Sequence, residues 1–286
     1  MNNRKAIRYA IYAALLYAIS TPFSKLLMSQ ITPMFMAGLL YLGAAIGMSI
    51  VCIFTRGSED KSKPFTRKDI PYLTAMVVLD ILAPILLMTA LYHSPSESVS
   101  LINNFEIVAT SLIAFIVFKE KITPRLWIAI VLITVASILL SVSDTTSFSI
   151  SPYSALALLA CCCWGLENNC TRKLSYSEPA KIVIVKGFGS GTGSVIVALI
   201  SGDRLHPSPY ILPALLLGFI AYGLSIFAYV YAQRYIGAAK TSAFYALSPF
   251  IGALISIAVF PKIPSVLFVA AFAVMAAGTF LAIDKD

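Results

Sequence analysis

The feature that most limits what this chain can become is the steady return of apolar stretches of roughly 20 residues, separated by short charged breaks. A hydrocarbon layer about 30 Å thick imposes that spacing on helices that cross it. Ten such stretches can be drawn, at about 6–28, 33–55, 69–92, 95–118, 124–143, 152–174, 179–201, 209–233, 237–260 and 263–283. Pro33, Pro71, Pro95, Pro124, Pro152, Pro179, Pro209 and Pro264 stand near their starts, where a missing N–H does no harm. Composition agrees, with 59% of the 286 residues hydrophobic, 12% charged and a mean hydropathy of +0.86, which excludes an ordinary soluble domain.

The net charge of +8 does not point to nucleic acid, because the basic residues fall in alternate breaks instead of forming a patch. With the amino terminus in the cytoplasm, Arg4, Lys5, Arg8, Arg56, Lys61, Lys63, Arg67, Lys68, Lys119, Lys121, Arg125, Arg172, Lys173, Lys181, Arg234, Lys240 and Lys285 all fall inside or at its margin, while Arg204 and Lys262 fall outside. That asymmetry, with an even number of spans, predicts a multi-pass protein of the plasma membrane with both termini cytoplasmic. The basic segment Met1 to Arg8 has no small-residue cleavage pattern after it and reads as the lead into an uncleaved first span.

One stretch has a partner elsewhere in the chain. Tyr92 to Glu106 can be laid without a gap over Tyr235 to Pro249, which sets Glu97 against Lys240, Ser98 against Thr241 and Glu106 against Pro249. A weaker match sets Tyr17, Ser20, Thr21 and Ser24 against Trp164, Glu167, Asn168 and Thr171. The expected architecture is an all-α integral membrane protein of two halves, 1–147 and 148–286, with five spans each. Because five is odd, the second half enters the membrane from the opposite face and the repeats are inverted.

The run Trp164-Gly165-Leu166-Glu167-Asn168, the triplets Ala90-Leu91-Tyr92 and Phe118-Lys119-Glu120, and Leu247-Ser248-Pro249 together resemble the drug/metabolite transporter superfamily, EamA type, over nearly the whole chain. The resemblance implies ten spans, export of amino acids, other metabolites or drugs, and a substrate path between the halves. The chain departs from that pattern at Glu106, where the family usually has proline. It departs again at Pro261-Lys262-Ile263, which lacks the acid matching Glu120, and at Tyr41 or a neighbour, where a basic residue is often found. Lys186 sits at the comparable depth of the seventh span.

Charges inside the spans are the candidates for chemistry, since a lone charge there is costly. Glu106 shares a helical face with Asn103 and Thr110 and reads either as a proton- or cation-binding carboxylate or as a structural acid paired with a lysine. Glu167, with Trp164, Asn168 and Thr171, forms a second polar face, suited to an amine-bearing ligand or to an acid reaching interfacial water. Lys186 reads as the counter-ion of Glu106 or Glu167 in preference to an anion contact, while Asp80 and Glu97 are weaker candidates. Tyr222, Ser225 and Tyr229, with Gln233 beyond them, line one face of the eighth span, and Tyr245 and Ser248 line one of the ninth; such rings line a wet cavity or simply pack.

The glycines from Gly187 to Gly193 lack the strand and helix of a phosphate loop and read as a close-packing face. Pro22, Pro84 and Pro249 fall inside spans and can free carbonyls there. His93 and His206 lie at outer ends without triad or metal spacing. Cys52, Cys161, Cys162, Cys163 and Cys170 lie in apolar runs and read as packing, so neither a metal nor a cofactor is expected. The sequence therefore predicts a gradient-coupled secondary transporter that is not an enzyme, with Glu106, Glu167, Lys186, Asn103, Trp164, Asn168, Tyr229 and Tyr245 as substrate or coupling residues. The alternative is a channel or a facilitator without gradient coupling, with an intramembrane enzyme ranked behind both. Expected partners are a small-molecule substrate and the lipid bilayer, with no nucleic acid, and a homodimer is an allowed assembly.

Overall fold

The computed structural model describes residues 3–54, 65–119, 123–144, 149–174, 177–261 and 263–282. Glu120, Lys262 and Asp286 lie outside them, as do the side chains of Gln233 and Lys240. The chain is helical almost throughout: α1 (Asn3–Ala18), α2 (Ser20–Leu27), α3 (Pro33–Phe54), α4 (Ile70–His93), α5 (Ser96–Ile102), α6 (Phe105–Phe118) and α7 (Pro124–Ser141). There follow α8 (Pro152–Leu174), α9 (Pro179–Ile200), α10 (Ile211–Gly218), a π-helical turn (Phe219–Leu224), α11 (Ser225–Tyr245), α12 (Ser248–Val259) and α13 (Val266–Ala282). Two very short antiparallel strands, β1 (Val142–Asp144) and β2 (Ser149–Ile150), join α7 to α8 and qualify the all-α expectation.

Among the described residues, seven helical stretches are long and apolar enough to cross a membrane: Lys5–Leu27, Pro33–Phe54, Arg67–His93, Ser96–Val117, Pro124–Ser141, Pro179–Ile200 and Ile211–Ala232. Ser248–Val259 and Val266–Ala282 are shorter apolar helices. The 23-residue α8 is long enough but carries Glu167, Asn168, Asn169, Arg172 and Lys173.

Helix α3 runs through the middle of the largest core cluster, where Phe35, Met36, Leu40, Tyr41 and Met48 meet Leu87, Met88 and Leu91 of α4 and Trp164 of α8. It packs along α9, α4 along α8, α1 along α11, α7 along α13, and α5 against α12. Without aqueous solvent to drive helices together, close approach through small residues does the work. A Cβ added at Gly187 would stand 2.7 Å from the Tyr41 carbonyl oxygen, and one at Gly43 would stand 2.0 Å from that of Leu215.

Three spans are interrupted, and the interruptions correct the sequence reading. The first breaks at Ile19, between α1 and α2. The fourth breaks at Asn103–Asn104, so the predicted stripe of Asn103, Glu106 and Thr110 does not lie on one continuous helix. The bond from the Glu106 amide to the Asn103 carbonyl (3.1 Å) carries the chain across the break. The third break, at Ala246–Leu247, replaces the boundary expected near 233–237: α11 is helical from Ser225 to Tyr245. No proline interrupts residues 214–248, so nothing removes an N–H from the ladder until Pro249 opens the first turn of α12. Pro22 likewise lies in the first turns of the short α2. Among these three prolines, Pro84 alone interrupts a helix interior, and its missing N–H leaves the Asp80 carbonyl without its usual partner.

Candidate functional site

The break at Asn103–Asn104 is held by one face of α8. Cys161, Gly165, Asn168 and Asn169 recur at helical spacing, and all four meet the fourth span. The Cys161 thiol lies 3.6 Å from the Ile102 carbonyl and 3.9 Å from that of Asn103, two acceptors at the interruption. Gly165 lets α6 approach, since an added Cβ would stand 2.8 Å from the Thr110 nitrogen. Asn169 Nδ2 donates to the Gly165 carbonyl at 2.8 Å and, at longer range, to that of Thr110 at 3.4 Å. Asn168 Nδ2 donates to Glu106 Oε1 at 2.5 Å.

Glu106 therefore sits in the first turn of α6, where the positive end of the helix dipole favours a carboxylate. Among the described residues it makes no ion pair. The side-chain oxygen of Asn103 and both polar side-chain atoms of Asn104 are buried and have no hydrogen-bond partner among the described residues.

The next face of α8 carries Trp164, Glu167 and Thr171 toward α4 and α9. The Thr171 hydroxyl donates to Glu167 Oε1. The Lys186 ammonium lies 3.0 Å from the same Glu167 oxygen and 3.1 Å from Asp80 Oδ2. The Tyr41 hydroxyl donates to Asp80 Oδ1 at 2.9 Å. Two acids and one base, with Lys186 only 6% exposed, thus tie α3, α4, α8 and α9 together. Such a buried cluster is weak evidence for net stability, because desolvation offsets much of the attraction, but removing one partner strands a charge.

The expected counter-ion role of Lys186 holds for Glu167 and not for Glu106, and Asp80, ranked low from sequence, supplies the second acid. Tyr41, noted only because it replaces a basic residue, is that acid's hydrogen-bond donor. Trp164 is buried in the apolar core cluster, and Asn168 serves Glu106 instead of its neighbour Glu167.

The tyrosines form a continuous row. Ring centroids are 5.1 Å apart for Tyr41 and Tyr222, 5.6 Å for Tyr222 and Tyr17, 5.5 Å for Tyr17 and Tyr245, and 4.9 Å for Tyr245 and Tyr229. Tyr222 enters this row from the π-helical turn, where one extra residue re-aims a side chain. Ser225, placed beside Tyr222 and Tyr229 from the sequence, donates instead to the Ala13 carbonyl at 2.9 Å and so packs α11 on α1.

At the opposite end of α4, Lys25 Nζ donates to the carbonyls of Leu91, Tyr92 and Ser94, and the His93 ring stacks on Tyr153 at 4.2 Å. The missed residues Tyr17, Tyr41 and Asn169 carried one usable signal. Asn169 falls on the Cys161–Gly165 face by spacing, whereas the two tyrosines reach the site through tertiary packing that no local pattern encodes.

The family model for EamA-like transporters matches the chain twice, over residues 4–142 and 152–283. A protein of Methanothermobacter thermautotrophicus described as an uncharacterized transporter is 23% identical over 289 residues, a match that covers 95% of this chain and 84% of that one. A solved crystal structure aligns with a TM-score of 0.68 over 97% of this chain and 95% of its own, at 17% identity, which speaks for the fold alone.

Proposed function

The chain belongs to the EamA-like transporter family and is a multi-pass membrane protein of the class that moves small molecules, and from that premise we propose a secondary active exporter in which Glu106 couples substrate to a proton or ion gradient. Its substrates are small metabolites such as amino acids or amine-bearing compounds. The observation that carries this reading is an acid without an ion-pair partner among the described residues, set at a helix break inside an apolar span and hydrogen-bonded by Asn168. A carboxylate in that position is a functional candidate by default, because a permanent charge there would otherwise be selected against.

The path runs between two inverted repeats, 1–147 and 148–286, of five spans each. The double family match supports this, and so does the way the helix contacts exchange under a repeat swap: α4 with α8 becomes α11 with α1, while α3 with α9 and α7 with α13 map onto themselves. Both termini lie in the cytoplasm of a plasma-membrane protein, as the alternating basic loops require. A cysteine placed at Asn2 that reacts with an impermeant reagent outside intact cells would reverse that topology.

The protein reconstituted in liposomes with an imposed pH gradient tests the function directly. Radiolabelled phenethylamine and phenylalanine serve as probes. At least one should show saturable, gradient-driven accumulation. Flux that rises linearly with concentration and ignores the gradient would instead mark a channel.

A further inference from the structure

We infer that the Glu106 site takes an organic cation that lacks a carboxylate, an amine and not a zwitterionic amino acid; this rests on the reading of Glu106 as the substrate-facing acid. Glu106 stands at the break, and two further carboxylates, Glu167 on the next face of α8 and Asp80 on α4, are gathered around Lys186. Among the described residues, the ammonium within ion-pair distance of any of them is Lys186, and it is held between Asp80 and Glu167 at 3.1 and 3.0 Å.

An amino acid bound at Glu106 through its ammonium group would bring its own carboxylate into this acid-rich region. To pair with Lys186, that carboxylate would have to displace one or both of the resident acids and strand it in the apolar interior. An amine alone has no such conflict. Open acceptors match it: Glu106 has a second oxygen beyond the one that Asn168 occupies, and the buried side-chain oxygens of Asn103 and Asn104 have no hydrogen-bond partner among the described residues. Each can accept an N–H, and an ammonium has three to give. The Asn104 Nδ2 donor is also unpartnered among the described residues, but it is neutral and leaves a carboxylate's charge without a counter-ion.

The rings agree with the charge. Tyr17 and Tyr245 pack together with ring centroids 5.5 Å apart, and Tyr229 packs edge-on against Tyr245 at 4.9 Å. Aromatic faces attract a cation.

Matched pairs that differ only in the carboxylate decide the matter: phenethylamine against phenylalanine, and pentylamine against norleucine. Calorimetric titration of the purified protein in detergent reads binding without any gradient, so its outcome is separate from that of the flux assay. In at least one pair the amine should bind about tenfold or more tightly than its amino acid, the loss expected when a charge is left without a partner. Glu106→Gln should weaken that amine about tenfold, whereas Glu106→Asp retains most of the affinity, with thermal melts showing both variants folded. Equal or tighter binding of the amino acids overturns the inference, as does absence of binding by both amines or unchanged amine affinity in Glu106→Gln. Selective amine binding without gradient-driven flux keeps the inference and removes the coupling role.

Discussion

The breaks at Asn103–Asn104 and Ala246–Leu247 fall at the same place in the register that sets Glu106 against Pro249, yet they are made and used differently. The second carries a proline: Ser248-Pro249 opens α12, whose buried residues are Ser248, Gly252, Ala253 and Ser256, and Pro249 needs no N–H in the first turn. The first has no proline. It is built from two asparagines, the Cys161 thiol on neighbouring carbonyls and an acid at the new helix start. The backbone interruption thus belongs to the repeated architecture, while the chemistry belongs to one copy. The two meet directly, since Ser100 Oγ donates to the Pro249 carbonyl at 3.1 Å.

Six substitutions, singly or combined, probe that contrast by thermal unfolding in detergent. The largest effect belongs to the charged side. Lys186→Met strands Asp80 and Glu167 and should cost about 3–5 kcal/mol. Adding Asp80→Asn and Glu167→Gln should return most of it, and no recovery would mean that Lys186 acts by packing.

At the apolar break, Gly252→Ala places a Cβ 2.4 Å from Ser100 Oγ and 3.0 Å from the Ala18 carbonyl oxygen, and should cost about 1–3 kcal/mol. Ser100→Ala alone loses the bond to Pro249, about 1 kcal/mol. Combined with Gly252→Ala it should be less damaging than the two costs added, because the hydroxyl that clashes is gone. Strict additivity would place the strain at Ala18. Smallest is Pro249→Ala, about 0.4–1 kcal/mol, from the added freedom of the unfolded chain. A loss as large as that of Lys186→Met would show that proline, and not the repeat architecture, holds the second break.

Much of this was legible from the residues. Apolar length and loop charge gave the helices, because hydrocarbon thickness and topology act on local sequence. The ungapped match of Tyr92–Glu106 with Tyr235–Pro249 located two equivalent breaks without revealing that they were breaks. The boundary near 233–237 was misplaced because Pro95, which separates α4 from α5, has Ala238 as its counterpart, and helix propensity carries through. The acid cluster was only half visible: Glu167 and Lys186 stood out as charges within spans, but the preference for Asp80 as a third member depends on how α3, α4, α8 and α9 cross. The tyrosine row was invisible for the same reason, being assembled from α1, α3, the π-helical turn and α11.

The central claim, that Glu106 is the coupling acid, has one direct test. Wild-type protein and Glu106→Gln are reconstituted side by side, and uptake of radiolabelled phenethylamine and phenylalanine is measured first under an imposed pH gradient and then as counterflow exchange with no gradient. The substitution keeps the shape of the side chain and removes its titration, so gradient-driven uptake should fall to background while counterflow of the transported probe is largely retained. Normal gradient-driven uptake by Glu106→Gln across the pH range would contradict the claim and make Glu167 the acid to examine.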